Sequence, residues 1–125
     1  MLAQVASILE QEGFGTPGVD IFIFFMPDDV EQGILLVDTI VGTRIDHELP
    51  GYRNGKFQLI VRHQDYEEGM KLALDASEAL TILETEYDDV IIKYLRPRTD
   101  PVAFPPSEGD NLEFAAVFDS AYILK

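Results

Sequence analysis

Apolar positions recur along this chain with two different periods, and the switches between them mark out its elements. Leu2, Val5, Ala6 and Leu9 fall at the i, i+3, i+4, i+7 spacing of one helical face. Gly13 follows, where a helix C-terminus wants a residue that tolerates positive φ, and Gly15-Thr16-Pro17-Gly18 then turns the chain. Residues 19–25 (VDIFIFF) are β-branched and aromatic, which predicts a strand apolar on both faces. Ile21, Ile23 and Phe25 would point one way, Phe22 and Phe24 the other. Met26-Pro27-Asp28-Asp29 ends it, and residues 34–41 (ILLVDTIV) predict a second strand returning antiparallel through that short loop. Residues 50–55 read as a turn with Asn-Gly at its end. Residues 56–62 (KFQLIVR) form a third strand, with Phe57, Leu59 and Val61 on one face.

Asp65 opens the clearest element. Glu68 stands three residues on, a capping-box spacing in which each side chain can satisfy an orphan backbone N–H. Over residues 66–83, Tyr66, Met70, Ala73, Ser77 and Leu80 form a stripe that Leu72, Ala76, Ala79 and Leu83 widen, so the helix should lie on a sheet. Each large side chain buried there contributes roughly 1.5–3 kcal/mol. The acidic patch 84–89 (ETEYDD) leads into a fourth strand, residues 90–96 (VIIKYLR). Pro97, Pro101, Pro105 and Pro106 then make a stretch incompatible with regular structure. In residues 111–123, Leu112, Phe114, Ala116, Phe118 and Tyr122 alternate with Glu113, Val117, Asp119 and Ala121, a long final strand.

Helix, three strands, helix, two strands is an α+β order. It predicts a mixed, mostly antiparallel sheet of four to five strands, with an N-terminal helix and one long central helix packed on it. The length suits a single domain over residues 1–125, and no repeat, linker or low-complexity tract interrupts it.

Composition narrows the class. No apolar run approaches the ~20 residues a membrane span needs, and the N-terminus lacks the basic start and cleavage site of a signal peptide. With no cysteine, disulfides, thiolate nucleophiles, zinc ribbons and iron–sulfur clusters are excluded together. The net charge of −14 repels phosphate, so the counterion-release term behind most DNA binding is missing. Such a surface serves solubility, or lets DNA pass close by without adhering.

Candidate chemistry does not converge. His63 and Asp65 could share a face as metal ligands, but Asp65 is better used as the helix cap, and closed sites need three or four ligands. Asp46-His47-Glu48 in an extended segment would turn His47 away from both acids. Asp28, Asp29 and Glu31 lack the spacing and closing Glu of a calcium loop. Ser7, Ser77, Ser107 and Ser120 lack a nucleophile-elbow context, and Gly13-Phe14-Gly15 lacks the third glycine, the preceding strand and the following helix of a phosphate loop. The expectation is therefore no enzyme, with no catalytic residue, metal or cofactor. What is left over is apolar and basic surface. Phe22 and Phe24 occupy the second face of a strand, Val102, Ala103 and Phe104 lie in the proline-rich segment, and Lys93, Arg96 and Arg98 are the one basic cluster. Phe22, Phe24, Lys93, Arg96, Arg98, Val102 and Phe104 are thus the candidate interface. The basic three would meet an acidic patch on a neighbouring subunit, such as residues 84–89, and the N-terminal helix or another subunit would cover the second sheet face.

The whole layout resembles the tail terminator and minor tail or capsid assembly proteins of long-tailed bacteriophages. The resemblance runs through an N-terminal helix before a bulky strand and FQLIVRHQDYEEGMKLALDASEAL (residues 57–80), where a strand ending in Arg62 enters a helix with Tyr66 near its start. VIIKYLRP, a proline-bearing loop and LEFAAVFDSAYI complete it, so that it covers nearly the full chain. It implies a structural virion protein of the tail or neck, assembled in the host cytoplasm, with no enzyme activity and no inherited site residues. It further implies a homohexameric ring that caps the tail tube, ends its elongation and presents a surface to head-completion or connector proteins, DNA passing without specific binding. A head–tail connector or minor capsid protein shares this size and layout. From another class, an acidic DNA mimic would inhibit a nuclease or repressor, although mimics array carboxylates on one face and these acids are scattered.

Overall fold

The computed structural model describes residues 1–39, 42–87, 89–104 and 111–125. Along them run α1 (Leu2–Gln11), β1 (Ile21–Ile23), β2 (Gly33–Asp38), β3 (Arg44–Ile45), β4 (Tyr52–His63), α2 (Tyr66–Ala79), β5 (Ile82–Tyr87), β6 (Val90–Pro97), β7 (Val102–Phe104) and β8 (Leu112–Leu124). The architecture is α+β, as the element order implied, but the sheet holds eight strands among the described residues rather than four to five. Its path is β1-β2-β4-β8-β6-β5, with β3 added on β4 and β7 on β8. β1 runs parallel to β2 and every other pair is antiparallel.

Local signals account for several elements. The Asp65 carboxylate accepts the N–H of Glu68 at 2.8 Å, capping α2. Gly13 takes φ +85° after α1. β8, whose alternation is the longest in the chain, pairs with twelve residues of β4 and forms the centre of the sheet.

Other expectations are corrected. The first strand is three residues long, not seven, because the Thr16–Gly18 turn takes the outward N–H and C=O of Ile21 and Phe24 turns to φ +73°. The second strand runs parallel to it. A nine-residue loop, 24–32, suffices to carry the chain back past so short a strand. The expected 50–55 turn closes earlier, with Tyr52 N–H donating to Leu49 O at 3.0 Å and Gly51 at φ +82°, which leaves Asn54-Gly55 inside β4. A Cβ at Gly55 would crowd Thr43, standing 3.0 Å from its Oγ1. The second helix stops at Ala79, so Leu83 lies exposed on β5 instead of in the helical stripe. Residues 84–87 of the acidic patch are part of that edge strand, residue 88 lies outside the described residues, and residues 102–104 of the proline-rich stretch pair with β8. The rest of that stretch, residues 105–110, lies outside the described residues, as do residues 40 and 41 at the end of the expected second strand.

Both helices pack on one face. Val5, Ala6, Ile8 and Leu9 of α1 and Ala73 and Ala76 of α2 join Ile21, Ile34, Leu36, Phe57, Leu59, Val61, Phe114, Ala116, Phe118 and Tyr122 in one core. The Phe57 and Phe118 rings stack at 5.1 Å, a pairing that contributes roughly 0.5–1.5 kcal/mol beyond its buried area. α1 therefore does not cover the second sheet face.

Candidate functional site

Residues directly opposite each other on paired strands share a face, so the register maps the side away from the helices. One rung of that side is Phe22↔Leu35↔Ile60↔Ala115↔Val102, apolar across β1, β2, β4, β8 and β7. At about 4.8 Å per strand it spans about 19 Å. The next rung carries Val37↔Gln58↔Val117, and beyond it Lys56↔Asp119↔Arg96 forms a charged band. On the other flank Arg62↔Glu113↔Phe104 closes the patch, with Arg62 Nη2 3.3 Å from Glu113 Oε2. Apart from Ala121, the residues of β4 and β8 on this side stay partly open, while their alternates facing the helices are buried, with the exception of Arg53, Leu112 and Leu124.

The structure gathers most of the expected interface here. Phe22 is half-buried in the apolar rung, Val102 and Phe104 are about half exposed (55% and 50%) and Arg96 stands in the charged band, 4.2 Å above the Tyr94 ring. Arg98 reaches the same band through Asp119 at 3.4 Å. Phe24 sits at the strand edge, 78% exposed, its N–H still donating to Leu36 O. A left-handed backbone at a bulky residue is uncommon and costs roughly 1–2 kcal/mol. Lys93 lies apart. It occupies a β-bulge where β6 slips against β8, and it binds Glu84 of its own chain at 3.0 Å. That bulge shifts the phase of β6 so that Val90, Ile92 and Leu95 all reach the helix side. Leu35, Ile60, Ala115, Val37 and Val117 were not singled out from the sequence. Their signal was there: in ILLV and in AAV both phases of the alternation are apolar, so one phase had to be left over.

The polar candidates resolve into structure. His63 Nδ1 accepts the Asp65 N–H at 2.9 Å, and Nε2 lies 3.6 Å from Glu68. Asp46 Oδ1 accepts the N–H groups of Glu48 and Leu49, so the 46–48 trio folds into a turn directly after β3. That turn borders a surface cleft of about 420 Å³ with Arg44, Tyr52 and Asn54, and a second cleft of about 330 Å³ lies between the start of α1 and Phe57, Ser120 and Tyr122. Among the described residues no three His, Asp or Glu converge as metal ligands would, and no helix is long and apolar enough to cross a membrane.

A family model described as bacteriophage tail terminator protein matches residues 8–122. The chain belongs to that family. It is a family of structural tail proteins rather than of enzymes. Among solved structures, a chain titled virion of native gene transfer agent (GTA) particle superposes with a TM-score of 0.65. It is 14% identical and the match covers 97% of this chain and 85% of that one, a likeness of fold. No curated protein matches. Every expected interface residue lies within the span of the terminator match.

Proposed function

We propose that this terminator-family chain works as a homo-oligomeric ring, of six copies, that seats on the end of the tail tube, stops its elongation and offers a surface for head–tail joining. The supporting observation is the helix-free sheet face, whose apolar rung is left partly open by the described residues. A face of this kind marks an interaction site on a protein with so polar a surface. Each added copy brings a further −14 of charge, which opposes assembly. Screening over about 8 Å at physiological salt tempers that repulsion, and each contact must then bury about 1,000 Å² or more. The same charge lets DNA cross the ring without adhering. Negative-stain imaging and light scattering of the purified chain, with and without tail-tube protein, test this. Rings with a central hole that cap tube ends are expected, and monomers at every concentration under both conditions would refute the reading.

A further inference from the structure

The helix-free face reverses the charge balance of the chain. Beyond the Lys56↔Asp119↔Arg96 band a further rung runs Arg44↔Asn54↔Ala121↔Tyr94↔Leu83, and the next carries Tyr52↔Ile123↔Ile91↔Glu86. The carboxylates on the rungs of this face are already held, Glu113 by Arg62, Asp119 by Arg98 and Glu86 by Lys125. Arg44, Lys56 and Arg96 are exposed, and among the described residues none of them meets a carboxylate. Unpaired cations therefore border the apolar rung, in a chain whose net charge is −14. The outer surface of α2 is built the other way round. Glu67, Lys71, Leu74, Asp75 and Glu78 fall on one stripe, opposite the buried Gly69, Ala73 and Ala76, and all are exposed. Asp75 and Glu78 have no cation partner among the described residues, and Leu74, 43% exposed, stands directly before them.

We infer that a second copy docks face to back, the C-terminal half of α2 of one subunit lying on the helix-free face of the next. Leu74 seats against Ile60 and Val117, with Asp75 and Glu78 beside Lys56 and Arg96. The inference rests on the assembly reading above and specifies its contact. The order of the groups agrees on the two surfaces. On the face, the step from Val117 to Asp119 passes from the apolar rungs to the cations over about 7 Å. Along α2, the step from Leu74 to Glu78 passes from apolar to acidic over about 6 Å. Face against face would set cation against cation, and α2 against α2 would set carboxylate against carboxylate. Face against helix joins apolar to apolar and positive to negative, and a helix layer is the ordinary cover for a sheet face. Arg96 is steadied 4.2 Å above the Tyr94 ring, whose hydroxyl takes a hydrogen bond from Asn54 at 3.4 Å, so it has less freedom to lose on docking. The contact is heterologous and closes into a ring where the rotation permits.

Charge reversal tests this at side chains that are all exposed in the single chain. Asp75→Lys with Glu78→Lys makes the chain less acidic, so general repulsion alone predicts tighter assembly. Docking on Lys56 and Arg96 predicts the reverse, assembly weakened roughly tenfold in sedimentation velocity across a concentration series. Lys56→Glu with Arg96→Glu should weaken it by a similar factor. Mixed in equal amounts, the two variants meet only complementary surfaces in an alternating ring. Assembly should then return close to the wild-type level, which also shows that each variant is folded. A helix variant that assembles as well as the wild type, or a mixture that fails to recover, overturns this contact and leaves the ring reading standing. Variants that form normal rings yet no longer cap tube ends assign the face to tube protein and overturn the contact as well. A wild type that stays monomeric with tube protein present removes both.

Discussion

The two faces of the central strands are built from alternate residues of the same segments, yet they obey different rules. On the helix side of β4 and β8, Phe57, Leu59, Val61, Phe114, Ala116 and Phe118 are 2% exposed or less. On the other side Gln58, Ile60, Arg62, Ala115 and Val117 are only half-buried, and apolar residues mix with charged ones. Packing density constrains the first set, since a methylene too many or too few there is felt at once. The second set is free of that constraint in the single chain, so its apolar members answer to something outside it. In a chain of −14 net charge, a greasy rung left in place is a cost to solubility that assembly would remove.

Substitutions on the two faces can break this contrast. Phe118→Ala empties the middle of the helix-side core and removes the stack on Phe57, and should cost about 3–5 kcal/mol in urea unfolding. Gly69→Ala comes next. Helix propensity alone would favour it by about 1 kcal/mol, but the new Cβ would stand 2.8 Å from Phe114 Cζ and 2.9 Å from His63 Cβ. Overpacking of that kind costs about 1–3 kcal/mol, so a net loss in urea unfolding is expected, and a gain would refute close packing of α2 on Phe114. Ile60→Thr, on the open face, should change the unfolding free energy of the isolated chain by less than about 1 kcal/mol while weakening assembly in light scattering. Equal effects on unfolding from Ile60→Thr and Phe118→Ala would abolish the distinction between the faces.

Electrostatics differs between the sheet edges as the packing does between the faces. The β5 edge carries Glu84 at φ +45° and a bulged partner, with Lys93 and Lys125 tied to Glu84 and Glu86. A charged, distorted edge discourages strand addition. The β7 edge has no such protection among the described residues beyond its brevity, and there Val102 and Phe104 emerge.

Elements with a strong internal period were legible in the sequence. α2 has both a cap and a stripe, and β8 alternates over most of its length, so local physics and tertiary packing agree there. β5 was not legible, because an edge strand with four exposed positions has no apolar phase to announce it. β7 was hidden by prolines, which can flank an outer strand since a missing N–H matters little at an edge. The candidate site was half legible. Phe22, Phe24, Val102 and Phe104 stood out as surplus apolar residues, whereas Leu35, Ile60 and Ala115 looked like ordinary strand interior.

By itself the sequence determined the class of fold, the capped helix, the long central strand and the acidity, because each follows from composition or from residues near one another in the chain. The tertiary structure alone decided that β1 runs parallel to β2, that both helices choose one face, and that Phe22 and Val102, eighty positions apart, end on one rung. Those outcomes depend on which strands become neighbours, and pairing between distant segments is set by the packing of the whole sheet rather than by any local preference.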